Sequence, residues 1–138
     1  MTVPCESFTR ESFEHGELIA KLQALDINFI VLAGFLWKVP ENMIAAFPNA
    51  IINIHPALLP KYGGKGMYGD NVHKAVVAAG EKESGITIHY VNELYDSGNI
   101  IFQAKCEVLP GDDYHQVAEK VHALEYAHFP EVIDSLLK

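Results

Sequence analysis

The sequence predicts an α/β fold: a core of parallel strands joined by helices and extended by a hairpin. Two apolar runs, 27–32 and 51–55, have the length and composition of strands covered on both faces, and helical patterns precede them. Further on, 84–91 alternates apolar and polar residues, and 100–108 follows as a second strand. This later pair is typical of a hairpin added to a parallel core.

Helices are predicted where apolar residues recur at three- and four-residue spacing. These segments are 9–25, 40–47, about 70–79 and about 113–136. Asp70 or Asn71 should cap the third helix, because a side-chain oxygen at that position can accept from the first free backbone N–H groups. Pro130 should kink or divide the last helix, since proline removes one backbone donor.

Composition limits the kinds of partner that the chain can have. The 138 residues suit one domain, and 49% of them are hydrophobic. A net charge of −8 argues against a nucleic-acid or anionic-membrane surface, although one local anion site is compatible with it. Small-molecule substrates are therefore the expected partners. No apolar run approaches the ~20 residues that a membrane-spanning helix needs.

The cysteines and histidines do not suggest a metal site. Cys5 and Cys106 lack the CxxC spacing of zinc ligands, and we expect two reduced thiols in a cytoplasmic protein. The histidines show no HxH or HxxxH pairing on one face. No metal cofactor is expected, and the sequence does not set the oligomeric state, so a homodimer is compatible with it.

The most informative polar pair is Asn53 and His55, inside the apolar run 51–55. Side chains two apart in a strand point to the same face, and Pro56 should end the strand. Both residues would then lie at the carboxyl end of a strand, where ligands bind in open α/β sheets. A buried histidine with only a structural role is the alternative.

Asp96 is a candidate partner for His55. It lies in the acidic connection 92–99, and a carboxylate beside an imidazole favours the charged ring. Asn as donor, His as acid and Asp as orienter can together stabilise a tetrahedral oxyanion. No nucleophile elbow is present, which favours direct transfer between two bound substrates. A surface-turn role for Asp96 stays open.

Two connections could form the walls of a ligand pocket. Residues 35–38 are four large side chains in a row, suited either to capping the core or to an apolar wall for a flat heterocycle. The loop 61–69 holds four glycines and two lysines but matches no phosphate-loop motif. It is either a mobile surface loop or a loop that contacts ligand.

Three strings in the sequence carry a resemblance to a known family. NIHPALLP at 53–60, AGF at 33–35 and YDSGNII at 95–101 together resemble the formyltransferases that use 10-formyltetrahydrofolate. The resemblance covers essentially the whole chain and implies one catalytic domain, 1–138, with a three-layer, mostly parallel, Rossmann-like sheet. Such proteins begin with a strand, a phosphate loop, a helix and a second strand that this sequence lacks. The sheet should therefore be incomplete at its N-terminal end, and ribonucleotide binding weak.

The resemblance also implies a reaction and its residues. Asn53 would bind the developing oxyanion, His55 would act as general acid, and Asp96 would keep it protonated. The formyl group would pass from 10-formyltetrahydrofolate to the amino group of glycinamide ribonucleotide, a step of purine biosynthesis. Residues matching the folate contacts are Leu36, Trp37, Lys38, Val39, Asn53, Asn92, Glu93, Leu94, Tyr95 and Asp96. Those matching the ribonucleotide contacts are His122, Ala123, Leu124 and Glu125.

Other functions fit the same strings. Relatives that hydrolyse formyltetrahydrofolate, or that formylate methionyl-tRNA, share the chemistry. The first of these carry an N-terminal regulatory domain and a different string after the catalytic histidine. The second carry a C-terminal tRNA-binding domain, which we expect an acidic chain ending at Lys138 to lack. From a different class, the chain could be a non-catalytic folate-binding or assembly module.

Overall fold

The computed structural model describes residues 5, 7–35, 37–93 and 98–137. Its helices and strands alternate along the chain and then end in a hairpin and a long helix. In order they are α1 (Arg10–Glu14), α2 (Glu17–Ala24), β1 (Ile30–Ala33), α3 (Glu41–Ala46), β2 (Ile51–His55), α4 (Asp70–Ala78), β3 (Glu83–Tyr90), β4 (Ile100–Glu107) and α5 (Tyr114–Leu137).

The four strands form one open sheet in the order β1-β2-β3-β4. The pair β1–β2 is parallel, and β3 and β4 continue the sheet in antiparallel fashion. The α/β fold and the added hairpin are thus confirmed. Within the described residues the parallel part of the sheet is the β1–β2 pair.

Helices cover both faces of the sheet, which gives the three predicted layers. Side chains of β2 alternate between two cores, as the two-residue repeat of a strand requires. Ile52 and Ile54 belong to the core that α4 and α5 cover, and Ile51 belongs to the core that α1, α2 and α3 cover. Because β2 is apolar toward both cores, its polar side chains stand out near its carboxyl end.

Several helix and strand bounds differ from the sequence prediction. The first helix is divided, since Gly16 adopts a φ of 85° between α1 and α2. Strand β1 starts at Ile30, and Val31 is 39% exposed, so this strand is not covered on both faces as predicted. It lies at one edge of the described sheet.

The caps of α4 and the course of α5 also correct the prediction. Asp70 is the first residue of α4, and Gly69 precedes it without a side-chain cap. Helix α5 continues through Pro130, so the predicted division does not occur, and the kink stays a prediction. The carbonyl four residues earlier, which proline leaves without its usual donor, belongs to the highly exposed Tyr126, where water can replace it. A capping box precedes α5: Gln116 N donates to Asp113 Oδ1 at 2.9 Å, and Asp113 N donates to Gln116 Oε1 at 2.8 Å.

Gly85 is required by close packing in the hairpin. A Cβ on Gly85 would lie 1.9 Å from the Ala104 carbonyl oxygen and 2.8 Å from Leu58 Cδ2. Because the first of these is backbone, no side-chain rotation could relieve the clash. Gly85 therefore allows β3 to lie close against β4, and it also leaves room for the Leu58 side chain from the segment after β2.

Candidate active site

A cavity of about 540 Å³ opens at the carboxyl end of β2. Its lining comes from the ends of three strands, the connection after β1, the glycine-rich loop and the three helices α1, α4 and α5. The polar and charged members are Arg10, Lys38, Asn53, His55, Lys65, Tyr68, Asp70, His73, His89, Asn92, His122 and Glu125. The structure therefore brings Asn53 and His55 to one cavity, as their spacing predicts.

A short chain of hydrogen bonds fixes the amide of Asn53. Its Nδ2 lies 3.3 Å from His89 Nε2, and His89 Nδ1 lies 3.0 Å from the Tyr90 carbonyl oxygen. A carbonyl only accepts, so Nδ1 of His89 carries the proton; in the neutral ring Nε2 is then an acceptor. Asn53 must therefore point its NH₂ group toward His89, and the same residue lines the cavity.

His55 is held by the glycine-rich loop. The side chain is buried, with 3% of its surface exposed, and its Nε2 lies 2.6 Å from the carbonyl oxygen of Tyr62. Since a carbonyl cannot donate, His55 Nε2 carries a proton and donates it to this contact. The imidazole is thereby fixed in tautomer and in orientation before any ligand arrives.

The segment between His55 and Tyr62 is held by hydrogen bonds to the hairpin. The Thr87 hydroxyl donates to the Ala57 carbonyl at 2.7 Å and accepts from Leu59 N at 3.0 Å. Gln103 Nε2 adds contacts of 3.0 Å to the Leu59 carbonyl and to the Thr87 hydroxyl. Because Thr87 is fully buried, these hydrogen bonds are shielded from water and hold the chain after β2 in one path.

The connection after β1 forms an aromatic wall. Trp37, Lys38 and Val39 line the cavity, while Leu36 lies outside the described residues. The Trp37 ring packs on Phe13 and Phe35, with centroids 5.9 Å apart in each pair. The connection therefore both packs on the core and lines the cavity, while its contact with a flat heterocycle stays a prediction.

The glycine-rich loop also faces the cavity. Residues 64–70 line it, and Asn71 Nδ2 donates to the Gly66 carbonyl at 3.1 Å, which ties the loop to α4. Of the two predicted roles, the structure favours a loop placed to contact ligand.

The opposite wall comes from α4 and α5. His73 is 1% exposed, and its Nδ1 finds no hydrogen-bond partner among the residues that the structure describes. Its ring stands 6.2 Å from that of His122, whose Nδ1 lies 3.5 Å from Glu125 Oε2. Burial, followed by repulsion from His122, lowers the pKa of His73 below its usual value, so a neutral ring is favoured.

The remaining predicted site residues are distributed as follows. Asn92 lines the cavity, whereas Glu93 is exposed and is not part of the lining. Ala123 is exposed and Leu124 packs on the main core, so their ligand contacts stay predictions from the resemblance. Leu94, Tyr95 and Asp96 lie outside the described residues, and the pairing of Asp96 with His55 stays a prediction.

Three contributors were missed by sequence reasoning: Tyr62, His73 and His89. His89 follows Thr87 in the alternating pattern of β3, but only the strand register, which pairs Asn53 with His89, shows that it faces the cavity. His73 lies one helical turn after Asp70, which also lines the cavity. The backbone contact of Tyr62 leaves no signal in the sequence.

Comparisons with known proteins show the family to which the chain belongs. A family model described as formyl transferase matches residues 2–133. The chain belongs to the formyl transferase family. It is 44% identical over 121 residues to the chloroplastic phosphoribosylglycinamide formyltransferase of Arabidopsis thaliana, covering 88% of this chain and 41% of that protein. The phosphoribosylglycinamide formyltransferase of Haemophilus influenzae is 37% identical, with 95% of this chain and 62% of the other covered.

Solved structures give the same result for the fold. The phosphoribosylglycinamide formyltransferase of Bacillus halodurans matches with a TM-score of 0.83 and 32% identity, over 94% of this chain and 64% of that one. The glycinamide ribonucleotide transformylase 1 of Symbiobacterium toebii matches with a TM-score of 0.80 and 36% identity, over 91% and 56%. The Rossmann-like formyltransferase sheet is confirmed. The chain spans less than two thirds of the length of each of these four proteins.

Neither a metal-binding cluster nor a membrane-spanning helix is found in the described part of the chain. Residues 5, 7–35, 37–93 and 98–137 contain no cluster of three or more histidine, cysteine or acidic side chains able to hold a metal ion. Across the same residues, no helix is long and apolar enough to cross a membrane.

Proposed function

We propose that this chain carries the transfer site of a phosphoribosylglycinamide formyltransferase. The co-substrate is 10-formyltetrahydrofolate, and the acceptor is the amino group of glycinamide ribonucleotide. The reaction belongs to purine biosynthesis. The family and its relatives support this assignment, and the observation that carries it is the pairing of an oriented amide, Asn53, with an oriented imidazole, His55, in one cavity.

The proposed chemistry needs only these groups and the two substrates. The amine nitrogen attacks the formyl carbon, and the carbonyl oxygen becomes an oxyanion that accepts from Asn53 Nδ2–H. The bond from the formyl carbon to the folate nitrogen then breaks. That nitrogen gains a proton from Nδ1 of the charged His55 ring, whose Nε2–H stays on the Tyr62 carbonyl. The proton that the attacking amine loses returns to Nδ1 of His55, so the proton balance is closed. No covalent bond to the protein forms.

The charges around the cavity suit anionic substrates. Arg10, Lys38 and Lys65 line it, against the two carboxylates of Asp70 and Glu125. This local balance contrasts with the net charge of −8 for the whole chain. Both proposed substrates carry negative groups, a phosphate on one and a carboxylate on the other, and nearby cations favour their entry. The aromatic wall at Trp37 is suited to the flat pterin ring.

The proposal is tested by following a labelled formyl group. With formyl-¹³C 10-formyltetrahydrofolate and glycinamide ribonucleotide, we expect the label on the acceptor amine, detected by NMR. The His55→Gln variant keeps an amide able to donate to the Tyr62 carbonyl but cannot supply the proton, so its rate should fall about a thousandfold. Calorimetric binding of a folate analogue to this variant should be unchanged. Equal rates for the two proteins would contradict the proposal.

Two other outcomes would assign a different function. If a folate analogue binds and no label reaches any acceptor, the chain is a folate-binding or assembly module. Label released as formate with the same rate whether or not ribonucleotide is present would indicate a deformylase. Titrating the ribonucleotide alone separates these from a chain that has the transfer chemistry and binds its acceptor weakly.

The location and assembly of the protein are part of the proposal. A reducing compartment such as the cytoplasm is supported by two free cysteines, Cys5 and Cys106. Small molecules are the proposed partners, with neither nucleic acid nor membrane among them. A homodimer is compatible with the fold, and sedimentation would measure it.

A further inference from the structure

We propose that Tyr62 and Glu81 act as positioning residues for His55. The contacts from His55 through Tyr62 to Glu81, which we call the tether, join the glycine-rich loop to the turn between α4 and β3. The tether sets the orientation of the imidazole from outside the cavity. Neither residue is part of the cavity lining, so neither would touch a substrate. The kinetic part of this inference rests on the proposed role of His55 as general acid, while the structural part does not.

Three consecutive contacts form the tether. His55 Nε2–H donates to the Tyr62 carbonyl at 2.6 Å. The hydroxyl of the same tyrosine donates to Glu81 Oε1 at 3.0 Å. The other carboxylate oxygen of Glu81 lies 3.5 Å from Lys61 Nζ. One residue therefore contacts the candidate acid through its backbone and a distant carboxylate through its side chain.

The backbone of Tyr62 supports a positioning role. Its φ is 57°, in the left-handed region that a bulky residue rarely adopts. Such a conformation persists only where surrounding contacts determine it. The Tyr62 ring packs against the main core, and its hydroxyl is fixed by Glu81. These two anchors hold the peptide in the conformation that directs its carbonyl to His55.

The hydroxyl of Tyr62 is suited to act as a permanent donor. Burial, together with the hydrogen bond to Glu81 and the charge of that carboxylate, raises the pKa of the Tyr62 hydroxyl. The group therefore stays protonated at any pH at which the enzyme would work. Glu81 needs only an acceptor oxygen in this contact, so the charge itself is dispensable. Lys61 is highly exposed, and its ion pair with Glu81 should contribute little.

Four variants separate the tether from general effects of mutation. Tyr62→Phe removes only the hydroxyl, and Glu81→Ala removes its acceptor. Glu81→Gln keeps an acceptor oxygen and should behave as the parent protein does. Glu83→Ala is the matched control, because Glu83 lies two residues away, is exposed and pairs with Lys105 on the hairpin instead.

The direct readout is the pair of ¹⁵N imidazole signals of His55, assigned by their loss in His55→Gln. In the neutral ring, the parent protein, Glu81→Gln and Glu83→Ala should show one protonated nitrogen, Nε2. In Tyr62→Phe and Glu81→Ala the two signals should move toward each other, because the tautomers mix when the carbonyl is no longer held. Unchanged signals in both folded variants would overturn the proposal.

Steady-state kinetics supply the second readout. In Tyr62→Phe and Glu81→Ala, kcat should fall about fivefold while KM for the folate stays constant, a loss typical of one hydrogen bond. A change in KM alone would overturn a positioning role. If the parent protein transfers no formyl group but the ¹⁵N signals respond as described, the proposed function fails and the tether stands. If transfer occurs and the signals do not respond, only the tether fails.

Discussion

Two groups of polar side chains face each other across the cavity, and they differ in how they are held. The strand cluster is Asn53, His55 and His89, in which each side chain has a hydrogen bond of 3.3 Å or less. The helix cluster is His73, His122 and Glu125. Its contact between His122 Nδ1 and Glu125 Oε2 is 3.5 Å long, and His73 Nδ1 is buried without a partner in the described chain.

The difference separates side chains that are fixed by hydrogen bonds without ligand from side chains whose hydrogen bonds a ligand could complete. Both imidazoles of the strand cluster donate to backbone carbonyls, which keep their positions whether or not a substrate is bound. The helix cluster relies on side chains alone, and a buried nitrogen without a partner is a cost that a ligand could relieve. Reaction geometry would thus be set before binding, and the acceptor substrate would complete the other wall.

The largest effect that would sharpen this comparison is expected from Asn53→Ala. Removing one donor to a developing oxyanion should lower kcat about a hundredfold. Calorimetry of the folate analogue should show nearly unchanged affinity, because the donor acts mainly in the transition state. Loss of folate binding together with kcat would mean instead that Asn53 holds the ground state.

A smaller effect is expected from His89→Leu, which leaves the Asn53 amide without its acceptor. The volume is nearly kept, but the amide can rotate, so kcat should fall about tenfold. In the Asn53→Ala background the same substitution should have little further effect, because the two residues act as one unit. Additive losses in this double-mutant cycle would show that His89 acts independently of Asn53.

The smallest effect concerns stability and tests the helix cluster. His73→Leu should raise the free energy of unfolding by about 1 kcal/mol at neutral pH, because a buried nitrogen without a partner is removed. The same variant should bind the ribonucleotide more weakly, by calorimetry, if that nitrogen serves the acceptor. A loss of stability would show that His73 is satisfied in the ligand-free protein.

The pH dependence of stability follows from the same residue. The pKa of His73 is lowered in the folded state, so the unfolded chain binds its proton first as pH falls below about 6.5. Stability is therefore lost below that pH in the parent protein, down to the folded pKa. His122, Asp70 and His55 face the ring and also influence it. Denaturant melts between pH 5 and 8 should show a flatter profile for His73→Leu.

The sequence predicted the strands and the cavity edge better than the helix bounds. Strand positions follow from strong local patterns, such as the apolar run that contains Asn53 and His55 and the alternation in 84–91. The break at Gly16 depends on a left-handed residue that a periodic pattern passes over. The course of α5 through Pro130 depends on exposure, which a sequence does not reveal.

The sequence predicted some of the residues that form the site, but it did not predict their hydrogen-bond partners. Asn53 and His55 could be placed together because a strand has a fixed two-residue repeat. His89 required the register between β2 and β3, which is set by packing across the whole sheet. The contact of His55 with Tyr62 involves a backbone carbonyl, which every residue type has in common, so no side-chain pattern could indicate it.

The readiness of the strand cluster is tested most directly by the ¹⁵N imidazole spectrum of the ligand-free protein at a pH where the histidines are neutral. His55 should appear as a single tautomer protonated at Nε2, and His89 as a single tautomer protonated at Nδ1. Rapidly averaging tautomers at either residue, becoming fixed only when folate is added, would contradict a site whose reaction geometry precedes its substrates.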